Sequence, residues 1–162
     1  MIILGIDPGL NNTGWGLVGY TNNTFNYLGS GTITNSSAIE TDIKLKTIYD
    51  ELCEVIRKAQ PTECAIEETF VNQNPRLSLK LGYAKGVAML AAAQNNLKLF
   101  EYSPRSIKSA FAGSGKASKD QMMGMLKYLL PKHKASSEHE ADALAVAICH
   151  INTEAFKRKL IA

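Results

Sequence analysis

Several residue types that define other protein classes are scarce in this chain. Its three cysteines, Cys53, Cys64 and Cys149, are far apart and form no C-x-x-C pair, which speaks against a disulfide framework or a zinc knuckle. Reduced, buried thiols in a cytosolic protein are the expectation. The longest run of small or apolar residues, Gly86 to Ala93, is far short of the roughly 20 residues a bilayer span needs. The N-terminus reaches Asp7 without a basic region and a cleavable apolar stretch, so a cytoplasmic location is expected. No internal repeat and no long linker is visible. What is present suffices for a core: 162 residues, 45% of them hydrophobic, can bury about two-thirds of the surface exposed by the unfolded chain.

Charge of neither sign dominates the total, which is +3. Its distribution is uneven. Residues 1–70 hold 4 Lys/Arg against 9 Asp/Glu, residues 71–134 hold 11 against 2, and residues 135–162 hold 3 against 4. A strongly cationic middle suited to a polyanion thus lies between acidic flanks that can supply metal-binding carboxylates.

The opening reads as three strands, Ile2 to Asp7, Gly14 to Tyr20 and Phe25 to Thr34, joined by short Asn/Gly connections that favour antiparallel hairpins. Ser37 and Glu40 have capping-box spacing, and Leu45, Ile48, Leu52, Val55 and Ile56 recur at helical intervals up to Pro61. Glu63 to Glu68 reads as a buried parallel strand. A helix over Arg76 to Gln94, a strand over Lys98 to Tyr102, a short helix between Pro104 and Gly113, and helices over Ser118 to Leu130 and Ser137 to about Ile151 complete the pattern. This is an α/β chain with a five-stranded mixed sheet, three strands antiparallel and two parallel, flanked by helices on both faces. The expected organisation is a single domain over residues 1–156 and a short basic, solvated tail over 157–162.

The first strand alternates Ile2, Leu4 and Ile6 on one side with Ile3, Gly5 and Asp7 on the other. Asp7 therefore emerges at the strand end, either as a ligand for a metal or as the start of a turn. Glu67 and Glu68 end an apolar strand and point to opposite faces. At least one is near covered surface and needs a cation, a proton or a metal. His139 and Asp142 share a face of the last helix. An acidic first turn complementing the helix dipole accounts for Glu138 and Glu140 but not for Asp142. Oxygen and nitrogen ligands drawn from a first strand, a later strand and a late helix suit Mg²⁺, or Mn²⁺ as a substitute. Two such ions about 3.5–4 Å apart activate a water and stabilise the leaving oxygen of a phosphodiester.

Taken together, Ile3-Leu4-Gly5-Ile6-Asp7-Pro8-Gly9, Ala65-Ile66-Glu67 with Phe70, Leu79-Lys80-Leu81-Gly82 with Gly86-Val87-Ala88, and Ala141-Asp142-Ala143-Leu144-Ala145 resemble the RuvC-type Holliday-junction resolvases of the ribonuclease H-like superfamily. The resemblance covers nearly the whole chain. It implies a ribonuclease H-like fold and a catalytic, metal-binding set of Asp7, Glu67, His139 and Asp142, choosing Glu67 over Glu68. Many resolvases of this family have Asp where His139 stands, and others have His. A histidine ligand removes one negative charge and must be neutral, so acidification should compete with metal binding. Glu138, four residues before Asp142, is the alternative ligand on that face.

The same resemblance implies Mg²⁺-dependent cleavage of four-way DNA junctions by paired symmetric nicks, in recombination and repair, by a homodimer that works with a RuvA–RuvB branch-migration complex. Among the basic residues Lys80, Lys85, Arg105, Lys108, Lys116 and Lys119 are candidate DNA contacts, with Lys108 and Lys119 at positions the family implicates in DNA contact or catalysis. Phe70 matches an aromatic that stacks on bases; from the residues alone it is equally a core aromatic. Gly113-Ser114-Gly115-Lys116 is not a P-loop, because Ala110 and Ala117 stand where that motif needs Gly and Ser/Thr. The helix over Arg76 to Gln94 is apolar or small on two faces, Leu77, Leu81, Ala84, Ala88 and Ala91 on one and Leu79, Tyr83, Gly86 and Leu90 on the other. It is expected to be buried on both, one against the sheet and one against a partner subunit. Rival readings are an actin-like or sugar-kinase ATPase, for which the chain lacks a second domain and a second phosphate loop, a junction-binding protein without chemistry, and a nuclease for RNA/DNA hybrids.

Overall fold

In the computed structural model, residues 1–69 and 75–161 are described, without the side chains of residues 112 and 158–161. Five strands and five helices follow in the order β1 (Ile2–Asp7), β2 (Asn12–Thr21), β3 (Thr24–Thr34), α1 (Thr41–Ala59), β4 (Glu63–Glu67), α2 (Pro75–Gln94), β5 (Leu99–Tyr102), α3 (Pro104–Ala112), α4 (Lys119–Leu129) and α5 (Glu138–Ile161). The strands form one sheet in the order β3-β2-β1-β4-β5. The β1–β2 and β2–β3 pairs are antiparallel, whereas β1–β4 and β4–β5 are parallel. The mixed sheet read from the sequence is therefore present.

Alternation along β1 assigns its two faces to two cores. Leu4 and Ile6 join Cys64 and Ile66 of β4 against Ile48, Leu52 and Ile56 of α1 and Ala84, Ala88, Ala91 and Ala92 of α2. On the other face Ile3 and Ala65 meet Leu144, Ile148 and Ile151 of α5, with Ile107, Phe111 and Leu126 from α3 and α4. Cys64 and Cys149 are buried free thiols and Cys53 is half-buried.

α5 lies unusually close to the sheet. A Cβ added to Gly5 would be 2.0 Å from the Ala143 carbonyl oxygen, and one added to Gly14 would be 2.0 Å from that of His139. Strand backbone and helix backbone meet with no side chain between them. This is why β1 and β2 carry glycine where they face the first turns of α5.

Two readings need correction. The Ser37–Glu40 capping box does not form: Glu40 is itself the N-cap, without a side-chain cap bond, and the Ser36 hydroxyl takes the turn by accepting from the Ala38 N–H at 3.3 Å. α5 does not stop near Ile151 but runs to Ile161 through the Lys157-Arg158-Lys159 stretch. No Gly or Pro interrupts it there, and a Glu154–Lys157 pair at 2.7 Å supports the added turns. One face of α2 packs into the core through Ala84, Ala88, Ala91 and Ala92, although Leu77, grouped with that face, is 52% exposed. The other face, expected to meet a partner subunit, is open in the isolated chain, with Leu79, Tyr83 and Leu90 56%, 41% and 52% exposed.

The α5 seam makes a stability prediction. Gly5→Ala should lower folding stability by about 1–3 kcal/mol, the usual cost of overpacking, or roughly 2–4 °C of Tm per kcal/mol. A control Gly86→Ala, whose added Cβ would meet nothing within 4 Å, should not lower it. Equal Tm values for wild type and Gly5→Ala in thermal denaturation would contradict the close-packed seam.

Candidate active site

Asp7 is the last residue of β1 and pairs with Gly14 of β2. The chain then turns through Pro8-Gly9, and the buried Thr13 closes that turn by donating its hydroxyl to the Gly9 carbonyl at 2.6 Å. Glu67 ends β4, which runs parallel to β1 with Ile6 beside Ile66. Asp7 and Glu67 therefore stand at neighbouring strand ends, on the face covered by α5. Glu68 lies beyond the strand, where its N–H donates to the Tyr102 carbonyl at 2.9 Å.

From α5 come His139 and Asp142, one turn apart. His139 Nδ1 is 2.8 Å from Asp7 Oδ2. Glu138 points elsewhere, into an ion pair with Lys119. Asp142 lies with Glu67, Lys108 and Lys119 around a cavity of about 290 Å³, walled on its apolar side by Ile107, Met122 and Val146.

The carboxylates perturb one another. Burial, then the charges of Asp7 and Asp142, push the Glu67 carboxyl up to about 7, against a smaller opposing effect of Lys108. Burial and then Asp7 push Asp142 up to about 6, with Lys119 opposing. Burial also raises Asp7, although the hydrogen bond and charge of His139 pull the other way. Among the described residues no three His, Cys, Asp or Glu side chains are gathered closely enough to enclose an ion. The donors present, three carboxylates and an imidazole, nevertheless fit a hard divalent cation, which would offset the burial and mutual repulsion that raise Glu67 and Asp142.

A family profile for "Crossover junction endodeoxyribonuclease RuvC" matches residues 3–150. The chain belongs to the RuvC family. Curated members so named include one from Legionella pneumophila, 48% identical over 160 residues that cover 99% of this chain and 92% of the relative. Another, from Sinorhizobium medicae, is 43% identical over 161 residues, 99% of this chain and 96% of the relative. Among solved structures, "T. thermophilus RuvC in complex with Holliday junction substrate" superposes with a TM-score of 0.91 at 29% identity, covering 97% of this chain and 96% of that one. The yeast mitochondrial Holliday junction resolvase Ydc2, with a TM-score of 0.65 and 13% identity, shares the fold.

Within this family fold, the basic positions separate. Lys108 and Lys119 rim the carboxylate cavity. Lys80 lines a second groove together with His139, Asn11 and Lys44. Arg105 packs against Gly115 of the Gly/Ser/Lys loop that also carries Lys116. Lys85 is ion-paired with Glu101 and its side chain is only 14% exposed, so the structure does not bring it to the carboxylates. Phe70 lies outside the described residues.

Two groups escape sequence reasoning. Glu140 is not a solvated charge of the first turn: it is 5% exposed and accepts from Ser30 Oγ at 2.6 Å and Ser136 Oγ at 2.8 Å. Burial raises its pKa, but these hydroxyl bonds outweigh that and hold it below the usual range. The signal was the Ser137-x-x-Glu140 spacing, and Ser137 Oγ does accept the Glu140 N–H at 3.2 Å. Lys44 is likewise buried, with its ammonium donating to Asn11 Oδ1 at 2.8 Å, a contact between distant residues that no local pattern signals.

Because Glu67 and Asp142 hold protons more tightly folded than unfolded, their protonation stabilises the native state below their ordinary values. That contribution is lost as pH rises through about 6 and 7. In EDTA, the Tm of Glu67→Gln should therefore gain on wild type as pH rises from 4.5 to 7.5. Mg²⁺ should raise the wild-type Tm at pH 7.5 and the mutant's less. A wild-type-to-mutant difference that is constant with pH in a thermal-shift series would contradict the carboxylate repulsion.

Proposed function

We propose that this chain is a structure-selective endonuclease that resolves four-way DNA junctions in recombination and repair by hydrolysing one phosphodiester in each of two opposing strands. The convergence of Asp7, Glu67 and Asp142 at one end of the sheet, beside the Lys108 and Lys119 rim, carries this reading. Membership of the RuvC family and the likeness to a relative solved with a Holliday junction support it. The catalytic domain is residues 1–156, with 157–162 as a basic extension, and the location is cytoplasmic.

Asp7, Glu67, His139 and Asp142 would hold Mg²⁺, with Mn²⁺ as a substitute, two ions per site. Bound ions would supply an activated water and charge stabilisation for the leaving oxygen. The protein's own groups prepare this. An ionised Asp7 accepting from His139 Nδ1–H fixes the ring and leaves the Nε2 lone pair as the ligand. Lys108 and Lys119 face the approaching phosphodiester, and Glu138 draws Lys119 onto the rim. Hydrolysis leaving 5′-phosphate and 3′-hydroxyl ends yields nicks that a ligase can seal.

Two symmetric nicks need two equivalent sites, which a two-fold homodimer supplies. The exposed apolar face of α2, with Leu79, Tyr83 and Leu90 around Gly82 and Gly86, where added Cβ atoms would meet nothing within 4 Å, is the surface that suits such pairing. A RuvA–RuvB branch-migration complex is the further partner, and Phe70, Lys80, Lys85, Arg105, Lys108, Lys116 and Lys119 are the proposed DNA contacts.

With synthetic junctions, RNA/DNA hybrids and plain duplexes, the wild type should make paired nicks in the junction only and only with divalent metal. Asp7→Asn should lose roughly 100-fold or more, as expected for a group that holds the metal. Undiminished nicking by Asp7→Asn, or preference for the hybrid, would defeat the proposal. His139→Ala should lose activity while Glu138→Ala keeps most of it; the reverse would transfer the ligand role to Glu138. Leu90→Glu should give a folded monomer in sedimentation, and an unchanged dimer would remove α2 from the interface.

A further inference from the structure

Beneath the catalytic carboxylates lies a second polar cluster that the proposed chemistry does not use. His150 of α5 is fully buried, yet both its ring nitrogens are engaged. Nε2 is 2.9 Å from Glu63 Oε2 and Nδ1 is 2.8 Å from the Tyr102 hydroxyl. The Phe100 ring packs against the imidazole with centroids 4.5 Å apart. A Glu63 carboxylate only accepts, so Nε2 carries the proton, and Nδ1 shares a hydrogen bond with the Tyr102 hydroxyl. Turning the ring would break both bonds.

The positions of these residues give the cluster its consequence. Glu63 and Glu67 are the first and last residues of β4 and share its α5 face. Asp142 and His150 are both on α5, about 12 Å apart along its axis at 1.5 Å per residue. Glu63 and Glu67 are about 13 Å apart at 3.3 Å per residue. Helix and strand are thus joined by two rungs of matching spacing. At the upper rung Glu67 and Asp142 repel each other; at the lower one His150 and Glu63 are bonded. Tyr102, the register partner of Glu67 on β5, ties the third element into the lower rung.

We propose that His150 is a positioning residue for cleavage: bonded to Glu63 and Tyr102, it locks α5 against β4 and β5 and so sets the separation of Asp142 from Glu67. This rests on the reading of the chain as a junction nuclease. A displacement near 1 Å at reacting groups can cost about 100-fold in rate, so a clamp remote from the substrate acts on the rate of the bound complex and not on DNA affinity.

The test combines single-turnover cleavage of a synthetic four-way junction at saturating protein with junction dissociation constants measured in EDTA. His150→Leu and Tyr102→Phe should cleave about 10- to 100-fold more slowly while binding within about twofold of wild type. Glu63→Ala should behave likewise, and Glu63→Gln, whose amide oxygen still accepts from Nε2–H, should recover most of the rate. Tyr102→Phe removes one hydroxyl without changing shape and stands in where His150→Leu fails to fold. Wild-type rates in folded His150→Leu or Tyr102→Phe, or rate and affinity falling together, would overturn the positioning role. Absence of junction cleavage by the wild type itself would instead reject the underlying nuclease reading.

Discussion

The contact on which the site depends is the bare approach of α5 to the sheet. Gly5 and Gly14 offer no side chain where Ala143 and His139 present their backbone carbonyls. Only this closeness lets a helix deliver His139 and Asp142 to carboxylates that end two different strands. β1 and β4 contribute the fixed half of the site because their parallel pairing places Asp7 and Glu67 at adjacent ends. α5 contributes the half whose placement depends on packing. Its first turn is held by hydroxyls from β3 and the preceding loop through Glu140.

The energetic cost of this assembly is electrostatic. Three carboxylates are drawn into a partly desolvated corner, where burial raises their proton affinity and the charge of Asp7 adds to the effect at Glu67 and Asp142. The fold tolerates that cost because large apolar surfaces on both faces of the sheet hold the elements together. A cation that neutralises the corner turns the same repulsion into binding energy. Strain of this kind belongs at a functional site and would have little use elsewhere.

Much of this was legible in the residues. The alternation of Ile2 to Asp7 correctly assigned both faces of β1, and the three-residue spacing of His139 and Asp142 puts both on α5 one turn apart. The change from antiparallel to parallel pairing followed from short hairpins first and helical crossovers later. Periodicity alone could not choose between Glu67 and Glu68, because the choice depends on which face α5 covers. The Ser37–Glu40 spacing misled because a capping pattern describes a local option, and here Ser36 bonds the turn before the helix begins. The far end of α5 was missed because the Lys157-Arg158-Lys159 run reads as a solvated tail, while no Gly or Pro breaks the helix there. Lys44 and the His150 cluster were invisible, and Glu140 only half signalled by Ser137, for a different reason: each has a partner many residues away, and a charged residue in a sequence reads as solvated until its partners are known.

The glycine seam has a further implication for how this protein fails. Contact between two backbones leaves no flexible side chain to absorb an error, so any enlargement there, or at the alanines of α5 facing it, moves the helix as a rigid rod. The cores on either side, made of many interchangeable aliphatic contacts, can give way gradually and keep the chain folded. Damage along this seam is therefore expressed first as misaligned carboxylates and only later as lost structure. Catalysis is the sensitive gauge of its integrity, and a folded, DNA-binding, silent protein is its characteristic defect.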